Sequence, residues 1–375
     1  MSDRRRSRPG QVRDAIMKAM SLASKPMSVK EIEEDVCRMI GETPSSSIRS
    51  YLRLNNPELF IRESHGLYSL RRNQNAALQQ EIYLGTWCKP ARFGKSIIYH
   101  ADCFDWLRIQ KDCSYHAVVT DPPYGLHEYT EEQQTKLRNG KGGVWRIPPS
   151  FDGNKRSPLP RFTTLTPDQL EEIRTFFFLW GKLLLPKLVP GANVIIASNP
   201  LLSFIVSGAL ADAGFERRGE IIRLTMTMRG GDRPKAAHEE FPDISVMPRS
   251  MWEPWVVFRK PVEGRIQDNL RKWKTGGFRR PRKDTPFGDV ISSAPTRKKE
   301  REVAPHPSLK PQSFLRQLVR AVLPLGEGIL VDTFAGAGST LAAAEAVEYE
   351  SIGIEKDEYY FQMACDSIPR LIQFQ

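Results

Sequence analysis

The stretch His116-Ala117-Val118-Val119-Thr120-Asp121-Pro122-Pro123-Tyr124-Gly125 decides how the chain is read. Its first part is rich in β-branched and apolar residues, the composition of a strand buried in a parallel sheet. The strand has to stop at Asp121, because the two prolines that follow have no N–H to give to a ladder. An acidic group, a rigid turn and an exposed tyrosine are therefore released at its carboxyl end. In open α/β sheets ligands bind at that edge, so Asp121, Pro122, Pro123 and Tyr124 are candidate catalytic residues. The plain alternative is a proline-rich turn after a core strand, and the rest of the chain has to decide between them.

The chain has 375 residues, 40% of them hydrophobic, enough for one large domain and a small one. Its formal net charge is +11, which suggests a polyanionic partner such as nucleic acid. The charge is not spread evenly. From Arg259 to Arg301 there are 14 basic and 5 acidic residues in 43 positions. Such a surplus in one segment favours a binding surface over general solubilisation. The five cysteines, at 37, 88, 103, 113 and 365, form no Cys-x-x-Cys pair, which argues against a disulfide framework and against a zinc site. No apolar segment follows the basic start. The longest apolar run, Phe176 to Leu185, contains Lys182 and is too short to span a bilayer. These features lead us to expect a cytoplasmic protein with no membrane partner and no metal.

Residues 1–75 read as a small α+β domain. Val12, Ala15, Ile16, Ala19 and Met20 repeat at helical spacing. Ser28 with Glu31 three residues on is a capping-box signature for a helix from Val29 to Ile40. A third helix is expected from Pro44 to Leu54, then a hairpin across His65-Gly66. Three helices and a hairpin resemble a winged helix, a module that either enters a DNA groove or binds protein. Residues 76–95 show little periodicity and read as a linker.

The large domain, 96–375, begins with a strand at Ser96–His100, a short helix after Asp102 and Cys103, and the Asp121 strand. Two strands separated by a helical stretch make a βαβ unit and a parallel sheet. The polar, glycine- and proline-rich stretch 127–162 reads as a mobile loop covering the site or as plain disorder. Thr166 and Pro167 open a long helix through Leu185. Further strands are expected at Gly191–Asn199, Glu216–Leu224 and Glu253–Arg259, the last antiparallel because no crossover helix precedes it. Arg229 and Arg233 flank a glycine-rich turn suited to a phosphate or to an ordinary loop. The basic segment 260–304 shows few helix or strand patterns. Its Arg271, Lys272, Lys274, Arg279 and Arg280, interleaved with aromatic residues, suit a nucleic-acid surface and a target-recognition role.

A second constellation follows. His306-Pro307-Ser308-Leu309-Lys310-Pro311 precedes a helix, and Gly328 to Asp332 forms a strand running into Thr333-Phe334-Ala335-Gly336-Ala337-Gly338 and an alanine-rich helix. A strand, glycine turn and helix present backbone N–H groups to an anion, and the glycines let the backbone come close to a ligand. Glu355, at the end of the next strand, is placed to accept from ribose hydroxyls. A dehydrogenase would want a third glycine at 341, where Leu stands, and no P-loop lysine is present.

Taken together, these motifs resemble the S-adenosyl-L-methionine (AdoMet)-dependent DNA amino-methyltransferases, in the beta group, whose catalytic strand precedes the glycine turn. The resemblance covers residues 96–365 and implies a Rossmann-like α/β fold with a mostly parallel sheet and permuted motif order. It implies double-stranded DNA as substrate and base flipping of the target. By the resemblance, Asp102 and Cys103 belong to the motif that contacts the adenine of AdoMet. Asp332 with Phe334, Ala335, Gly336 and Gly338 would hold its methionine portion, Lys310 its carboxylate and Glu355 its ribose. Thr333 stands where the family usually has proline, and Ala337 where it often has Ser or Thr. Asp at 121 resembles the adenine-N6 group more than the cytosine-N4 group. The resemblance is compatible with a homodimer and with a cognate restriction endonuclease. A non-catalytic DNA-binding regulator on the same fold, or an enzyme acting on RNA or a protein amide, are the readings from other classes.

Overall fold

A computed structural model gives the architecture. It describes residues 12, 15, 16, 19, 20, 23, 25–54, 60–64, 66–70, 90–123, 165–229, 237, 239–246, 248, 250–306 and 308–374. The chain divides into two compact units, Met1–Tyr83 and Leu84–Gln375.

In the smaller unit, β1 (Met27–Ser28) leads into α1 (Val29–Ile40) through a reciprocal cap. The Ser28 hydroxyl accepts from Glu31 N, and the Glu31 carboxylate accepts from Ser28 N at 2.7 Å. Gly41, at φ 84°, ends the helix. Helix α2 (Ser45–Leu54) and strands β2 (Phe60–Ser64) and β3 (Leu67–Leu70) follow, and the antiparallel sheet has the order β1-β3-β2. Ile16, Ile32, Val36, Ile48, Leu52 and Phe60 form its core. The helices and the hairpin follow the sequence pattern. Strand β1, two residues long, is too short to carry a period and has no counterpart in the sequence reading.

The larger unit is built on nine strands: β4 (Ala91–Phe93), β5 (Ser96–His100), β6 (Tyr115–Thr120), β7 (Leu188–Ala197), β8 (Glu216–Arg229), β9 (Ser250–Arg259), β10 (Val290–Ser292), β11 (Ile329–Asp332) and β12 (Glu350–Glu355), in the order β10-β8-β9-β7-β6-β11-β12-β5-β4. Only β4 and β9 run antiparallel to their neighbours. On one face lie helices α3 (Cys103–Ile109), α4 (Pro167–Lys187) and α5 (Ser203–Ala213), with Trp106, Phe177 and Trp180 buried against Val118, Val194 and Val331. On the other, Ala117, Val119 and Leu330 meet Phe314, Leu318 and Ala343. Strand β6 is thus buried on both sides, which is why its sequence runs apolar instead of alternating. Thr166 caps α4 with Pro167 in the first turn, as the sequence predicts.

Two expectations are corrected. The linker expected at 76–95 contains β4, whose three residues pair with β5 but are too few to show alternation. The segment 260–304 is not irregular, because it holds α6 (Ile266–Trp273), β10 and α7 (Lys298–Val303). Its Arg and Lys residues hide the apolar spacing of Ile266, Leu270 and Trp273. Three further helices complete the unit: α8 (Gln312–Val322), α9 (Ser339–Ala346) and α10 (Glu358–Leu371).

Helix α6 is fastened at the amino end of β7 by Asn269, beside Thr275, whose Oγ1 also donates to Pro190 O at 2.6 Å. Asn269, fully buried, donates from Nδ2 to Pro190 O at 3.0 Å and to Thr275 O at 2.8 Å, and its Oδ1 accepts from Glu263 N at 2.9 Å. Each such backbone group left without a partner costs about 1–3 kcal/mol. The Asn269→Ala variant should therefore lose about 2–4 kcal/mol, read as a lowered midpoint in chemical unfolding. An unchanged midpoint would show that the fastening carries no stability.

Candidate active site

Four consecutive strands of the sheet, β6, β11, β12 and β5, end in acidic groups on one edge. Asp121 follows β6, Asp332 closes β11, Glu355 closes β12 and Asp102 follows β5. In the chain these residues fall in two pairs separated by about two hundred positions. The parallel pairings Val118–Val331 and Gly353–Asp332 bring the strand ends together. This is the edge at which parallel sheets bind ligands.

Asp332 is buried, and its Oδ1 accepts from Thr120 Oγ1 at 2.7 Å and from Phe334 N at 3.1 Å. Burial raises its pKa to about 6, against the lowering effect of its hydrogen bonds to Thr120, Thr340 and the Phe334 amide. The turn after it needs glycine. Gly336 and Gly338 have φ of 51° and 76°, and a Cβ on Gly338 would stand 2.5 Å from Ile368. Gly336 N donates to Glu355 Oε2 at 2.7 Å, and Asp357 N to Glu355 Oε1 at 2.8 Å. Burial raises the Glu355 pKa despite these two bonds.

Asp102 takes the capping role that Asp often fills. Its Oδ1 accepts from Phe104 N at 2.8 Å, and its Oδ2 pairs with Lys356 at 2.9 Å. Cys103 is buried, and its thiol is pushed upward, chiefly by burial and then by the neighbouring Asp102, so it is neutral and packs as an apolar group.

The densest electrostatics lie at Asp121. Ser308 Oγ donates to Asp121 Oδ2 at 2.8 Å, and the Lys310 ammonium meets the same oxygen at 2.5 Å. Lys310 also pairs with Glu253 at 3.2 Å, and Glu253 with Arg223 at 3.0 Å. His306 completes the wall; burial lowers its pKa to about 4, so its ring is neutral near pH 7. It stacks edge-on against Tyr360 with centroids 4.5 Å apart. One pocket is lined by Asp121, Ser308 and Lys310 together with Asp332, Gly336 and Thr340. Both sequence constellations therefore form a single site. Pro122 is buried and Pro123 exposed.

The basic residues divide differently. Arg271 pairs with Asp268 and Lys272 with Glu263, while Arg279 donates to Tyr349 Oη and Arg280 to Lys283 O. With Lys274, which follows α6, they lie towards the amino ends of the parallel strands, across the sheet from Asp121. Strand β8 runs parallel to β7, so its last residue, Arg229, lies towards the same sheet edge as Asp121. Tyr124, Arg233 and the loop 127–162 are outside the described residues.

Sequence reasoning missed Glu253, Arg223 and Ser308. A signal was available for Glu253: one carboxylate inside an apolar strand has to find a buried partner. Because β9 is antiparallel, its amino end reaches the carboxyl edge of its neighbours and delivers Glu253 there. Among the described residues no helix is long and apolar enough to cross a membrane.

The chain is 22% identical over 302 residues to the type II methyltransferase M.HindIII of Haemophilus influenzae, an overlap of 72% of this chain and 94% of that one. It is 24% identical over 270 residues to the type II methyltransferase M2.DpnII of Streptococcus pneumoniae, covering 72% and 88%. The crystal structure of the M1.HpyAVI–SAM complex matches 74% of this chain and 100% of its own at 18% identity, with a TM-score of 0.45. The model of the N6/N4 methyltransferase family, described as DNA methylase, matches residues 115–366. The span includes the Asp121 strand, the Lys310 segment and the glycine turn, and the chain belongs to this DNA methylase family.

Proposed function

We propose that the protein transfers a methyl group from AdoMet to the exocyclic amino nitrogen of a base in double-stranded DNA, with adenine N6 as the target. The observation that carries this reading is the shared pocket: Asp121, at the head of the Asp-Pro-Pro motif, and the glycine turn, distant in sequence, line one cavity. Asp at the head of the motif supports adenine over cytosine.

The residues fit AdoMet. The acidic strand ends run in spatial order from Asp102 through Glu355 and Asp332 to Asp121, as a long nucleoside with a charged tail requires. Glu355 is held rigid by two backbone amides and would accept from ribose hydroxyls. The turn at Gly336–Gly338, where side chains would clash, would lie against the methionine portion. When bound, the cofactor supplies an electrophilic methyl group from a sulfonium centre, whose sulfur keeps the electron pair of the broken methyl–sulfur bond as a neutral thioether. Lys310, paired with Asp121 and Glu253, acts in this reading on Asp121, a role beyond the one the sequence resemblance gave it.

An exocyclic amino nitrogen is a poor nucleophile because its lone pair is delocalised into the ring. Asp121 accepts one amino hydrogen and the Pro122 carbonyl the other, which draws the nitrogen towards a tetrahedral arrangement and frees the lone pair for attack. The prolines hold the carbonyl rigid. Once the N–C bond forms, the nitrogen carries a surplus proton, and the Asp121 carboxylate already holding that hydrogen is the acceptor at hand. Ser308 and Lys310 fix the carboxylate beforehand, so that positioning and electrostatics supply the acceleration. The target base has to leave the duplex, and Tyr124 would offer it a stacking face worth about 1–3 kcal/mol.

Transfer of labelled methyl from AdoMet to duplex DNA tests the reading. Asp121→Ala should reduce transfer to background while AdoMet still binds, and Tyr124→Ala should keep a trace. Full activity in Asp121→Ala would overturn the mechanism. Gly338→Ala places a methyl group against Ile368 at a left-handed backbone position. It should weaken AdoMet binding by at least about tenfold in calorimetry, and an unchanged dissociation constant would remove the glycine turn from the cofactor site.

A further inference from the structure

Lys310 does not face Asp121 alone. Its ammonium lies between two carboxylates, 2.5 Å from Asp121 and 3.2 Å from Glu253. Glu253 divides its oxygens. Oε1 faces Lys310, and Oε2 accepts from Arg223 at 3.0 Å and from Trp255 Nε1 at 3.3 Å. Arg223 in turn donates to Ser293 Oγ at 3.1 Å and to Ala294 O at 3.4 Å. The side chains of Arg223, Glu253 and Lys310 are 3%, 8% and 8% exposed, so solvent screens these charges weakly. Glu253 and Arg223 are cross-strand neighbours on the β8–β9 ladder. The segment bearing Lys310 joins them from elsewhere in the chain.

From this geometry we infer that Glu253 is a positioning residue for methyl transfer, acting on Asp121 through Lys310. The inference rests on the function proposed above. Paired with Asp121 alone, the ammonium would draw charge from the one carboxylate that has to attract the amino hydrogen. A second carboxylate on the same ammonium opposes that pull. It also fixes Nζ in place, so that Asp121 is oriented while keeping its strength as an acceptor. Arg223 and the Trp255 indole hold Glu253 for this task, and the two carboxylates balance the two cations. Glu253 is not among the residues that line the pocket, so its effect belongs to the chemical step and not to binding.

The test compares steady-state methylation of duplex DNA by the wild type, Glu253→Gln and the double variant Arg223→Met/Glu253→Gln, with AdoMet affinity and thermal midpoint measured alongside. The single variant leaves Arg223 without its anion. The double variant removes both members of the pair, a replacement that buried sites often tolerate. In both variants we expect kcat to fall by about tenfold or more, while the KM for DNA and the Kd for AdoMet stay within about twofold. The loss should persist in the double variant even where its thermal midpoint matches the wild type. Recovery of wild-type kcat in the double variant would overturn the inference, since the network would then serve only the fold. Loss confined to KM would overturn it as well. A wild type that transfers no methyl in the same assay would overturn the proposed function and this role with it.

Discussion

Lys310 carries its ammonium into a place nearly free of water, and the architecture around the site follows from the need to answer that charge. Moving an ion out of water costs several kcal/mol even after relaxation, and the cost is met only where partners and geometry are both good. Asp121 answers it from just past the end of β6 and Glu253 from β9, and Arg223 answers Glu253 from β8. A shift of any one strand would leave a buried charge unpaired. The register of the half of the sheet nearest Asp121 is therefore tied to the residues proposed to do the chemistry. Apolar packing on the two faces makes the sheet stable, and the charged set defines how its edge is aligned.

The antiparallel strand β9 is essential to this arrangement. A parallel strand in its place would bring its carboxyl end, not Glu253, to the edge where Asp121 stands. The same edge carries Asp332 and Glu355, each held by backbone amides, and both pKa values are raised by burial. Burying these carboxylates against their preference for water is a cost that a purely structural sheet would not carry. Such conflicts concentrate where proteins function.

Much of this was legible in the sequence because it is local chemistry. Two prolines after a β-branched run mark a strand end at Asp121, and the glycines at 336 and 338 mark a turn that side chains would block. The same holds for Thr166 and Ser28, whose caps are written in the residues three positions on. What was not legible depends on partners far apart in the chain. Glu253 reads as a solitary acid in a strand until the fold brings Lys310 to it, and Lys310, given to the cofactor's carboxylate by the resemblance, meets Asp121 and Glu253 only in the fold. The basic segment shows the same dependence on the fold. Arg271 and Lys272, which suit a nucleic-acid surface by composition, pair with acids three and nine positions away, and α6 places them across the sheet from Asp121. Composition reports how many charges there are, and only topology reports which of them lie at the site.

The most direct test of the central claim is mass spectrometry of nucleosides from the DNA of a methylation-deficient host expressing the protein, beside a host expressing Asp121→Ala. N6-methyladenine in the first alone is the predicted result. N4-methylcytosine would keep the transfer chemistry and contradict the choice of base. The absence of any modified base in DNA from the wild-type host would contradict the account.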